Sequence, residues 1–108
     1  MAKKVLLKTK VNVEGEDVGE EKYILKLFVA GILPSSMRAV VNTKAICEKY
    51  LKGRYELEII DIYQKPSLAL AEDIIVIPVL IKKFPLPEER VIGDLSDTDN
   101  VLKGLQLI

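Results

Sequence analysis

Few side chains in this 108-residue chain are equipped for covalent or acid–base chemistry. There is no histidine, which excludes a Ser-His-Asp relay, imidazole acid–base catalysis and histidine-ligated metals. The one cysteine, Cys47, cannot form an intrachain disulfide, and a reducing, cytoplasmic setting is the expectation. Glu56 and Glu58 alternate in "YELEIIDI" and resemble paired carboxylates, but no third acid stands at a recognisable spacing. A solvated strand face is the simpler reading. Gly93-Asp94 with Ser96 reads as a turn followed by a helix cap. No glycine-rich phosphate loop is present. What remains is contact chemistry: Arg38 near a helix start, and Lys82, Lys83 and Arg90 bracketing a proline-rich turn.

Composition agrees. The chain is 49% hydrophobic and 30% charged, enough for one compact domain with a charged shell. Sixteen basic and 16 acidic residues cancel, which argues against a nucleic-acid partner. No apolar run approaches the ~20 residues of a membrane helix. The start, "MAKKVLLKTKVNV", lacks a small-residue cleavage site, so no secretory signal is expected.

The elements that must position these residues follow from pattern. Residues 1–22 read as an extension, lysine-rich then acidic, in which Leu7, Thr9, Val11 and Val13 alternate as in a short strand. "YILKLFVA" predicts a buried strand. Pro34 suits the first turn of a helix, which runs to Leu51 and stops at Gly53. Met37, Val40, Val41, Cys47, Tyr50 and Leu51 are its expected apolar face. Tyr55 to Ile62 predicts a half-buried strand, and Pro66 opens a short helix over Leu68 to Ala71. "EDIIVIPVLIKK" is strand-like but carries Pro78, which cannot donate to a ladder. Arg90 to Ile92 reads as a short edge strand after Pro85 and Pro87. Ser96 is the expected cap of a last helix, with Val101, Leu102, Leu105 and Ile108 as its stripe.

The order β-α-β-α-β-β-α, with a proline just before the third strand, resembles the thioredoxin-like α/β arrangement. In that fold the proline is cis and lies near the ligand site, which implies that Pro78 begins a strand. A narrower resemblance lies in "YILKLFVAGILPSSMRAV", "LKGRYELEIIDIYQKPSLA", "IPVL" and "RVIGDLSD", which are similar to segments of the KaiB family from about Tyr23 onward. The family's KLYVAG is here Lys26 to Gly31, and its IGDLS is Ile92 to Ser96. The resemblance implies that residues 23–108 form a KaiB-like domain without cofactor or enzymatic activity. It implies binding to a KaiC-like, RecA-type ATPase in a circadian clock, with a KaiA-like protein or a histidine kinase as further partners. It also implies a resting homo-oligomer, a tetramer or dimer, with the rearranged order β-α-β-β-α-α-β. The thioredoxin-like monomer is then the binding form.

The two folds would differ in the second half, from near Lys65. Pro66, Pro78, Pro85 and Pro87 lie there, and their slow isomerisation suits gates for such a change. Gly93, Asp94 and Gly104 are carried over as structural positions of that half. The implied partner contacts are Arg38, Glu56 and Glu58 on the first-helix and second-strand side, with Lys82, Lys83 and Arg90 as a basic patch. Departures exist. Glu58 stands where clock members usually carry lysine, Gln106 replaces an aspartate, and no acidic tail follows Ile108. These imply a divergent homologue, for which a stress or energy-signalling role would also fit. The rival reading is a thioredoxin-fold redox or glutathione-type enzyme. It lacks a cysteine in the loop before the first helix and would have to use Ser35 or Ser36. A third is the sensor domain of a histidine kinase, for which no kinase segment is present.

Overall fold

The computed structural model describes residues 21–108. The alternating stretch around Leu7 to Val13 therefore lies outside the described residues. The elements run β1 (Tyr23–Val29), α1 (Pro34–Tyr50), β2 (Tyr55–Asp61), α2 (Pro66–Ala71), β3 (Val79–Phe84), β4 (Glu89–Ile92) and α3 (Thr98–Gly104). This is the thioredoxin-like order and not the rearranged one. One four-stranded sheet is ordered β2-β1-β3-β4. The β1–β2 pair is parallel, as a βαβ crossover requires, and β3 is antiparallel to both β1 and β4.

β1 is central and buried on both faces, which is why its sequence is nearly continuously apolar. Alternation along it divides the core in two. Leu25, Leu27 and Val29 join Leu80 and Val91 under α1 and α3, with Ala39, Ile46, Cys47, Val101, Leu102 and Leu105. Phe28 faces the other way and packs with Ile60, Val79 and Ile81 beneath Leu68 and Ala69 of α2. Each fully buried Leu, Ile or Phe contributes about 1.5–3 kcal/mol. The first layer is consequently the stronger one, because α2 buries no residue fully.

Several expectations change in detail. The buried face of α1 is Ser36, Ala39, Thr43, Ile46 and Cys47, while Met37 and Val41 are 56% and 66% exposed. Small and hydroxylated residues, with Ile46 and Cys47, take the core side, and Met37 and Val41 stand outside. Asp97 caps α3, its carboxylate accepting from the Asn100 N–H at 3.2 Å, and Ser96 does not. Ile108 is exposed and Leu107 packs on the core instead. Ile74 to Ile77 form a loop, and the strand starts only at Val79. The Ile77–Pro78 bond is cis, as are Phe84–Pro85 and Leu86–Pro87.

Two glycines carry special backbone. Gly53, with φ +81°, ends α1 as its left-handed stop, and the Arg54 N–H bonds Leu51 O beside it. Gly93, at φ +113°, turns the chain out of β4, and its N–H bonds Pro78 O at 2.9 Å. Gly104 has a different reason to be small: a Cβ there would meet Val91 Cγ2 at 2.7 Å, so α3 lies directly on β4.

Candidate partner-binding surface

The outer side of α1 is apolar at its start and charged further along, where Lys44, Glu48 and Lys49 are exposed. Leu33, Met37 and Val41 stand four residues apart, so they line up along one exposed stripe. Ile32, from the loop before the helix, extends the stripe at its start. Tyr63 closes the patch: its exposed ring lies over Gly31, where a Cβ would sit 3.7 Å from it. The Ile62 N–H donates to Val29 O, holding the end of β2 against this loop. Exposed apolar side chains grouped in this way mark an interaction surface more often than scattered ones do. Beside it runs β2, paired among the described residues on its β1 side only. Glu56 and Glu58 project from it on the opposite, α2 face of the sheet, so the structure does not bring them together with the stripe, and Glu56 meets Lys22 at 2.6 Å. Ile59 on the same strand is also exposed.

Arg38 flanks the stripe and is already engaged. Its Nε donates to Asp94 Oδ2 at 2.9 Å, and Asn42 Nδ2 donates to Asp94 O at 2.9 Å. These bonds tie the turn after β4 to α1. Asp94 also accepts from the Ser96 N–H, and the Arg38 bond is the main cause holding its carboxyl below the usual range. The Gly93-Asp94 turn was legible in sequence; its tie to Arg38 was not, because the two residues are far apart along the chain.

The structure does not assemble Lys82, Lys83 and Arg90 into one patch. Lys82 follows Leu80 on the α1 and α3 side of β3 and is only 2% exposed. Neighbours on a strand point to opposite faces, so Lys83 lies on the α2 side. There Lys83 Nζ donates to both carboxylate oxygens of Glu72, at 3.1 and 3.0 Å, and meets Glu88 at 3.1 Å. Arg90 Nη2 donates to Glu72 O at 2.7 Å and lies 3.6 Å from its carboxylate. Hydrogen bonds to Glu72 first, and to Glu88 second, raise Lys83, while the bond from Lys83 is the leading cause lowering the Glu88 carboxyl.

Cys47 is buried on the inner side of α1. Burial first, and the nearby Glu48 second, push its thiol up to about 11. A protonated, enclosed thiol is a poor nucleophile. Ser36 is buried too, and its Oγ accepts from the Ala30 N–H at 2.9 Å. A glutathione-type site built on that hydroxyl has no room. Among the described residues no group of acids and cysteine is placed to hold a metal ion, and no helix is long and apolar enough to cross a membrane.

Helices on both faces of a β2-β1-β3-β4 sheet, with a proline at the entry of β3, define a thioredoxin-like protein. Solved structures agree: the N-terminal domain of Synechococcus elongatus SasA matches with a TM-score of 0.66 at 22% identity, over 94% of this chain and 96% of that one. Mitochondrial thioredoxin 3 of Saccharomyces cerevisiae matches at 0.65 and 12% identity, over 84% and 83%. Within that class the chain belongs to the KaiB family, whose model, described as KaiB domain, matches residues 26–107. It is 48% identical over 91 residues to the circadian clock oscillator protein KaiB of Prochlorococcus marinus subsp. pastoris, covering 84% of this chain and 85% of that protein. To the protein of the same name from Synechococcus elongatus it is 49% identical over 86 residues, covering 80% and 84%.

Proposed function

We propose that this chain is a KaiB-type clock regulator that works by docking on a KaiC-type RecA-like ATPase, not by catalysis. The observation that carries the reading is the Leu33–Met37–Val41 stripe, exposed on the outer side of α1 with Arg38 beside it. An apolar anchor next to charged groups suits a specific protein contact. The buried, protonated Cys47 and the enclosed Ser36 weigh against the redox and glutathione readings. Residues 23–108 form the binding domain in this reading, with 1–22 as an extension. The thioredoxin-like form is the one that binds, and a cytoplasmic tetramer or dimer with a rearranged second half is the resting form. The weak burial of α2 supports a second half able to rearrange.

Titration against the KaiC-type ATPase of the same genome, after incubation for hours, tests the proposal. Saturable binding is expected. Met37→Glu combined with Val41→Glu should weaken it about 100-fold or more, as loss of a central apolar anchor does. The circular dichroism spectrum should not change. Absence of binding after long incubation overturns the proposal.

A further inference from the structure

One carboxylate holds down a segment that the core barely holds. α2 has no fully buried residue, and in the loop after it Ile75 is 91% exposed. Only Leu68, Ala69, Ile74 and Ile77 rest on the sheet, each partly buried. Hydrophobic adhesion is therefore small here, and polar ties must carry the segment.

Those ties converge on Glu72, the C-cap of α2. Lys26 of β1 pairs with Ile81 of β3, and Ile81 with Arg90 of β4, so the three stand abreast across the sheet. Lys83 lies further along β3, on the same face as Ile81. The Glu72 carboxylate hangs above this row. It meets Lys83 at 3.0 Å, Arg90 at 3.6 Å and Lys26 at 3.9 Å, and its backbone oxygen accepts from Arg90 as well. Glu88, in the turn between β3 and β4, meets Lys83 and Arg90 from the outer side. The Glu72 side chain is 18% exposed, sheltered enough for charge-assisted bonds to outweigh those of a solvated pair.

We infer that Glu72 is a latch: one carboxylate fastens α2 and the loop after it to three strands at once, and its loss frees residues 66–77 while the sheet stays folded. All of its partners but Lys26 lie in the second half of the chain. The latch can close only when β1, β3 and β4 are neighbours in the present order. It is thus a lock specific to this arrangement of the second half, and high ionic strength should loosen it.

Amide hydrogen exchange on the isolated full chain tests this without any partner, so the result is independent of the docking proposal. The probes are the N–H groups of Glu72, Asp73 and Ile74, which bond Leu68 O, Leu70 O and Ala69 O. Glu72→Gln should speed their exchange about tenfold or more, with Leu27 and Leu80 changing less than twofold. Lys83→Gln should give a smaller increase in the same amides. The double variant should exceed Glu72→Gln by less than twofold, as coupled partners do. Sodium chloride at 1 M should speed these amides in the parent chain and leave Glu72→Gln unmoved. Unchanged exchange at 72–74 in Glu72→Gln overturns the inference. So does an equal rise at Leu27 and Leu80, because the effect would then be global.

Discussion

The Thr43 hydroxyl is fully buried in α1 and has no hydrogen-bond partner among the described residues. A buried polar group left unpaired costs free energy that an apolar isostere does not. Thr43→Val should therefore raise unfolding free energy by about 1 kcal/mol in urea melts. Arg38 offers a second measurement. Its bond to Asp94 is the chief reason that the carboxyl titrates low. Arg38→Ala should move the Asp94 transition up toward the ordinary 3.8, read by carboxyl NMR. The same variant leaves Asn42 as the side-chain tie between the Gly93-Asp94 turn and α1, so a rise in the mobility of that turn should accompany it.

Elements meet through single bonds as well as through packing. The Ala30 N–H at the end of β1 has the Ser36 hydroxyl as its partner, inside the closed space between strand and helix. Ser36→Ala strands that donor, and a loss of about 1–3 kcal/mol should appear in chemical denaturation. This bond was not visible in sequence, where Ser36 was only one of two hydroxyls in a loop. The strands and helices themselves were legible, because apolar alternation, Pro34, Gly53 and Pro66 each carry a local backbone reason. The sides of α1 were not: Met37 and Val41 follow helical spacing as well as Ala39, Thr43 and Ile46 do, and only the packing of the helix on the sheet selects between the two faces. The cap of α3 fell one residue late for a similar reason, since Ser96 and Asp97 are both good caps and the Asp94 turn uses the Ser96 N–H. For the proposed partner surface, the sequence points to β2 and the α1 side and groups Lys82 with Lys83 and Arg90 as a basic patch. Lysine is ordinarily a surface residue, but the parity of β3 turns Lys82 inward. The exposed Leu33 and Tyr63 carried no signal that separates them from core residues.

At the scale of the whole molecule, charge sets the pH range of stability. Asp94 and Glu88 have lowered values in the fold, so their contribution is complete above the ordinary carboxylate range and lost as pH falls through those lowered values. Cys47 and Lys83 have raised values: the contribution of Cys47 is complete below about 9 and lost as pH climbs through about 11, and that of Lys83 is complete below 10.5 and lost as pH climbs through its raised value. Urea midpoints measured across pH should show a plateau with both flanks descending, and Cys47→Ala should shallow the alkaline flank alone. The sheet order has a different consequence, for how the chain is made. β1 sits between β2 and β3, and synthesis completes β1 and β2 well before β3. Until Phe84 has left the ribosome, one side of an almost wholly apolar strand has no neighbour. At roughly 5–20 residues per second, the stretch from Ile62 to Phe84 takes roughly one to five seconds. For that interval each nascent chain carries an open, sticky edge, and the crowding of ribosomes on its messenger sets how often two such edges meet.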